Sequence, residues 1–158
     1  MSELFVYRSR MPASAEAVYR LHAEPDALQR LTPPWEKSTV IARTGGIEIP
    51  GSQVTLRVSV GPFSQEWIAE HVACEPGKMF RDAMRSGPFR KWEHTHLFLA
   101  ESENSSWLED QVDFEFPLGG LGKFLASAYT RKRLQRLFRW RHHATAEILS
   151  ARNQPSSS

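Results

Sequence analysis

The sequence predicts an α+β domain: one antiparallel sheet of about seven strands and a long C-terminal helix, with two short helices after the first strand. Three observations carry that prediction. Glu3 to Tyr7 is rich in apolar and aromatic residues, and the Pro12 and Ser14 that follow suit a strand exit and a helix N-cap. From about Thr39 to Phe116, short runs are separated by Gly45-Gly46, Pro50-Gly51, Gly61-Pro62, Pro76-Gly77, Gly87-Pro88 and the polar stretch Glu103–Ser106. Six strands fit between those breaks and leave no room for crossover helices, so they join as an antiparallel meander. After Pro117 and the string LGGLG, the chain reads as helix to about Ser150.

The helix from about Ala15 has an apolar side of Val18, Leu21 and Tyr19. Pro25 is placed for the first turn of a second short helix carrying Leu28 and Leu31, which Thr32, Pro33 and Pro34 stop before Trp35. In the last helix Leu121, Phe124, Leu125 and Ala128 form one apolar stripe, and Leu134, Leu137, Phe138, Thr145 and Ile148 form another. At about 100° per residue the two are out of phase by roughly 130°. A break, a bend or a change of covering surface is therefore expected within Tyr129 to Arg133. Arg141 falls inside the second stripe, unusual for a side chain that is always charged.

The 158 residues, 41% hydrophobic and 24% charged, suit one domain over residues 1–150, with 151–158 (ARNQPSSS) as a disordered tail. A lone cysteine, Cys74, excludes an internal disulfide framework. No apolar run approaches the roughly 20 residues of a membrane span. The opening MSELFVYRSRMP lacks a basic-then-apolar export pattern, so a soluble, cytoplasmic protein is expected. The formal charge is only +2, yet Pro117 to Thr145 carries Lys123, Arg131, Lys132, Arg133, Arg136, Arg139 and Arg141 and no acid. A solvated helix lying across its own acidic sheet accounts for this run. No nucleic-acid-reading motif accompanies it, so nucleic acid is not expected as a partner.

Alternation along GPFRKWEHTHLF points Trp92, His94, His96 and Phe98 one way and Lys91, Glu93, Thr95 and Leu97 the other. The second set is mostly polar, so the first faces the interior. The same period turns Phe80, Asp82 and Met84 inward, and carries Asp110 inward with Leu108, Val112, Phe114 and Phe116. An unpartnered buried carboxylate is costly, so Asp82 and Asp110 need donors, and His94, His96 and Arg141 are available. A closed core avoids such a set of groups. A hydrated cavity with aromatic walls and a few polar anchors uses it.

The order of elements, with the strings LTPPW, GPFRKWEHTHLF and DFEFPLGGLG, resembles the START-related SRPBCC superfamily of helix-grip folds, and within it the bacterial polyketide cyclase/dehydrase-like ligand-binding branch. The resemblance covers about Glu3 to Ser150. It implies a curved sheet wrapped around the long helix and a mostly apolar cavity between them. It also implies that Trp35, Trp67, Phe80, Asp82, Met84, Phe89, Trp92, His94, His96, Asp110 and Phe138 lie on or near that cavity. Phe98, from the inward strand face, and Arg141 join the candidate ligand contacts.

The expected function is binding of a hydrophobic small molecule or lipid, with the His, Asp and Arg141 groups orienting its polar end. The alternative is a cyclase/dehydratase-type enzyme, in which His94 or His96, held by Asp82, moves a proton beside a carbonyl. A third reading is a protein-interaction module using the basic helix face, and a homodimer is left open. His94 and His96 with Asp82 or Asp110 have the ligand types of a metal centre. Alternate histidines arise readily by chance, however, and in polar cavities they pair more often with carboxylates, so no metal or cofactor is expected.

Overall fold

The computed structural model describes residues 2–60, 63–117 and 122–153, without the side chains of 60, 122 and 123. Strand β1 (Glu3–Met11) is followed by helices α1 (Ala15–Ala23) and α2 (Ala27–Arg30). Six strands come next: β2 (Ser38–Arg43), β3 (Gln53–Val60), β4 (Phe63–Glu75), β5 (Met79–Ser86), β6 (Lys91–Ser102) and β7 (Ser105–Glu115). Helix α3 (Gly122–Asn153) closes the chain. The strands form one antiparallel sheet in the order β1-β7-β6-β5-β4-β3-β2. This is the predicted meander, with β1 returning to pair along β7. The Gly61-Pro62 break lies outside the described residues.

Local chemistry explains the boundaries. The Ser14 side chain accepts from the Ala17 amide and caps α1 as predicted. Gly77 has φ +76°, the left-handed region where only glycine is unstrained, and a Cβ there would stand 2.5 Å from a Glu16 carboxylate oxygen. β1 runs four residues beyond the expected Tyr7, because its pairing with β7 continues through Met11↔Ser106. Pro25 lies before the Asp26 N-cap of α2 and outside the helix.

The interior has two apolar centres. α1 packs Val18, Tyr19 and Leu21 with Met11, Phe80, Phe98 and Leu108. α3 packs Leu134 and Phe138 with Phe5, Val112 and Phe114. Each fully buried side chain of this size contributes about 1.5–3 kcal/mol, which sets α3 on the sheet through its second stripe.

Of the break, bend or change of covering surface expected in α3, the structure shows the last. The helix runs unbroken from Gly122 to Asn153, with no interruption at Tyr129–Arg133. The phase conflict is resolved by leaving the first stripe bare: Phe124 and Leu125 are 77% and 78% exposed. Leu121 lies outside the described residues. The expected tail of 151–158 is corrected at its start, since Ala151–Asn153 complete α3 and Asn153 Nδ2 donates to the Pro12 carbonyl; residues 154–158 lie outside the described ones. The basic run bridges to acids elsewhere, Arg131 to Glu3 and Arg133 to Glu36, as a helix lying across its own sheet should. No described helix is long and apolar enough to cross a membrane.

Candidate functional site

Between the concave face of the sheet, α3 and the α1–α2 segment lies a cavity of about 830 Å³. That volume is within the range of small-molecule sites. Of the side chains expected there, Trp67, Phe80, Asp82, Phe89, Trp92, His94, His96, Phe138 and Arg141 line it. Trp67 and Trp92 meet edge to face at 5.1 Å, and Phe89 packs on both, forming an aromatic wall.

Four expected residues do not line it. Trp35 turns outward, 39% exposed, edge-on to Trp140 with the Arg136 guanidinium 4.3 Å over its ring. Phe98 belongs to the dry cluster under α1, against Tyr19 and His22. Met84 packs beneath Gly87 beside Trp67 and is paired with cavity-lining Ala69 of β4, so it keeps the inward face expected of it and stands next to the cavity without lining it. Asp110 sits behind the histidines, 1% exposed.

Strand register assembles the polar floor. Asp82 lies opposite His94 across β5 and β6, and His96 lies opposite Asp110 across β6 and β7. His94 Nε2 donates to Asp110 Oδ1 at 2.7 Å, and His96 Nδ1 stands 2.8 Å from the same oxygen, off the line of a hydrogen bond. From α3, His142 Nε2 donates to Asp110 Oδ2 at 2.6 Å, while its Nδ1 takes the Ser9 hydroxyl at 2.5 Å. Asp110, not Asp82, therefore holds the histidines. Asp82 Oδ2 faces them from the cavity side, 4.0 Å from His94 Nδ1 and 3.7 Å from His96 Nε2.

The electrostatics follow from this packing. Burial works against ionisation of Asp110, but the His96 charge and the donors from His142 and His94 outweigh it and hold the carboxyl well below its ordinary range. For Asp82, too, burial is outweighed by His96 and His94, and the result is downward. Burial opposes protonation of His96, yet the two aspartates prevail and its pKa is raised. Burial, then the His96 charge, lowers His94. His94 thus carries its proton on Nε2 and a lone pair on Nδ1.

Arg141 was a candidate donor to the aspartates but does not reach them. Its Nε donates to the Leu31 carbonyl at 2.9 Å, and no carboxylate among the described residues stands within 4.0 Å of its guanidinium. The group opens on the cavity.

Sequence reasoning passed over three histidines. His142 is four residues beyond Phe138, and His22 four beyond Val18, each on a buried helical face. That spacing was the signal. His22 lines the cavity, donates from Nδ1 to the Val18 carbonyl at 2.8 Å and leaves Nε2 without a partner; burial, then His96, pushes its pKa to about 3. His71 also lines the cavity, and its buried Nδ1, like His22 Nε2, has no partner among the described residues.

Comparison with known proteins gives this geometry a context. The family model described as polyketide cyclase / dehydrase and lipid transport matches residues 11–138. Among solved structures, the Zhui aromatase/cyclase from Streptomyces is similar at 15% identity and TM-score 0.78, over 100% of this chain and 99% of that one. A START superfamily protein from Mycobacterium smegmatis is similar at 19% identity and TM-score 0.62, over 89% and 97% of the two chains. Norcoclaurine synthase from Thalictrum flavum, in complex with dopamine and hydroxybenzaldehyde, is similar at 13% identity and TM-score 0.66, over 98% and 90%. At such identities these likenesses establish the helix-grip fold and nothing finer. No curated protein matches the chain in sequence.

Proposed function

This chain belongs to the polyketide cyclase/dehydrase and lipid transport family, and we propose that its cavity binds a hydrophobic small molecule or lipid with the polar end directed at the floor. The observation that carries this reading is Arg141, a guanidinium facing the cavity without a carboxylate partner among the described residues. Desolvating an arginine is costly, and it is commonly matched by an anion. A ligand carboxylate or carbonyl beside Arg141 supplies that match, while Trp67, Phe89 and Trp92 take the apolar body.

Quenching of tryptophan fluorescence by dodecanoate and by dodecanol tests this. The account expects the acid to bind more tightly. Arg141→Leu should remove that preference, a loss of roughly tenfold or more for the acid, since a charged hydrogen bond is worth about 1.5–3 kcal/mol. Equal affinity for both probes in the parent protein would contradict it.

A second reading is favoured by one specific contact, the His94 Nε2 hydrogen bond to Asp110 that leaves an unprotonated Nδ1 beside the cavity. Such a nitrogen removes a proton next to a bound carbonyl, the step a cyclase or dehydratase requires. Deuterium exchange at the central carbon of 1-phenyl-1,3-butanedione reads it. Loss of catalysed exchange in His94→Gln with binding retained supports this reading, and unchanged exchange contradicts it.

A further inference from the structure

Asp82, His94 and His96 each offer one ligand atom, and these atoms lie within 4.8 Å of one another at the cavity floor. The residues are far from a metal motif in linear sequence. It is the β5–β6 register that brings Asp82 opposite His94, and the period of β6 that puts His96 on the same face.

The arrangement of protons gives the cluster its meaning. Asp110 accepts from His94 Nε2 and stands 2.8 Å from His96 Nδ1, so the remaining nitrogens, His94 Nδ1 and His96 Nε2, both turn toward Asp82. A lone pair on His94 Nδ1 then faces a carboxylate oxygen at 4.0 Å, two electron-rich atoms aimed at a shared space. A cation between them relieves that opposition. Histidines that ligate metals commonly hydrogen-bond through the other ring nitrogen to a carboxylate, which fixes the ring and raises its basicity. One buried residue, Asp110, stands in that position for the His94 ring and lies 2.8 Å from His96 Nδ1, and His142 from α3 holds Asp110 in turn.

We propose that the protein holds one divalent transition-metal ion, of the zinc or cobalt class, on His94 Nδ1, His96 Nε2 and Asp82 Oδ2. Tetrahedral bonds of about 2.0–2.1 Å require ligand atoms roughly 3.3 Å apart. The spacings of 3.7 and 4.0 Å to Asp82 Oδ2 close to that with small side-chain movements, and the two histidine nitrogens, within 4.8 Å of each other, close by at most about 1.5 Å. Two imidazoles and one carboxylate suit zinc, cobalt or iron(II) over magnesium or calcium, which prefer oxygen. Three protein ligands leave a coordination position open to the cavity, which Arg141 also lines. The ion occupies the nitrogen that the proton-transfer reading uses, so the two are alternatives at one atom. The proposal does not depend on which organic molecule fills the cavity.

The test uses the full chain, stripped with a chelator and titrated with Co²⁺ in the absence of any organic ligand. The readouts are the visible d–d bands and, after gel filtration, the bound zinc per chain measured by elemental analysis. One ion per chain is expected. His94→Ala and His96→Ala should each weaken binding by about a hundredfold or more, and Asp110→Asn by roughly 10–100-fold through the loss of support to the rings. Asp82→Asn, nearly isosteric, should weaken it as the histidine changes do, and keeps the test decisive if a histidine variant fails to fold. His143→Ala, altering an exposed histidine of α3, should change nothing. No retained ion, or binding indifferent to Asp82→Asn and His94→Ala, overturns the proposal.

Discussion

His142 Nε2 on α3 donates to Asp110 Oδ2 on β7 at 2.6 Å, with both side chains almost wholly shielded from solvent. The contact joins the C-terminal helix to the sheet through a charge-assisted hydrogen bond in a low-dielectric interior, where such a bond is strong and its loss expensive. Asp110→Ala removes the acceptor of His94 and His142 together and should cost about 3–5 kcal/mol. His142→Ala leaves the other donors in place and should cost less, about 1.5–3 kcal/mol. Urea unfolding checks the order of the two. If His142→Ala proves the more damaging, the aspartate is not the centre of the network.

The two stripes of α3 give a paired prediction. Phe138 is 1% exposed and packs against Phe5 and Tyr7, so Phe138→Ala should destabilise by about 3–5 kcal/mol. Phe124→Ala, at a position 77% exposed, should stay within about 0.5 kcal/mol. Thermal unfolding of both variants reads the contrast, and a large loss from Phe124→Ala would mean that a partner surface covers that stripe.

The aromatic wall should carry ligand affinity. Trp92 lines the cavity between Trp67 and Phe89, half-buried. Trp92→Ala removes contact area from a bound apolar molecule, and at about 25 cal/mol per Å² a loss of the order of 100 Å² lowers affinity by roughly tenfold or more. Titration with dodecanoate measures it. An unchanged affinity would place the ligand elsewhere.

Acid should loosen the end of α3. Glu24 accepts from Arg152 at 2.7 Å and from Arg30 at 2.5 Å, and these guanidiniums, Arg152 first, hold its carboxyl below the usual range against the effect of burial. A depressed carboxyl contributes stability above its unfolded pKa of about 4.5, and that contribution fades as pH falls through the folded value. The pair is partly exposed, so the contribution is under about 1 kcal/mol. The stability gap between the parent and Glu24→Gln should be constant above about pH 5.5 and shrink below pH 4.5. A gap that persists to low pH would contradict the assignment.

What the sequence made legible follows from how local each signal is. Alternation at period two correctly turned Trp92, His94, His96 and Asp110 inward, because a strand's faces depend only on its own residues. Which aspartate holds which histidine depends on register between strands, and there the expectation of Asp82 gave way to Asp110. The apolar character of Phe124 and Leu125 was readable but their exposure was not, since burial is decided by what lies opposite. His142 was passed over because it lies in a strongly basic stretch that reads as solvated. Met84 keeps the inward face that alternation assigns it, paired with Ala69, and only its place short of the cavity lining, under Gly87, depends on the turn that follows.

Native mass spectrometry of the freshly purified full chain tests whether the cavity encloses a small molecule. A defined adduct is expected, which solvent extraction releases as an apolar compound with one acidic or carbonyl end and which is diminished in Trp92→Ala and Arg141→Leu. A chain that carries no adduct and also fails to take up dodecanoate when it is supplied would contradict it.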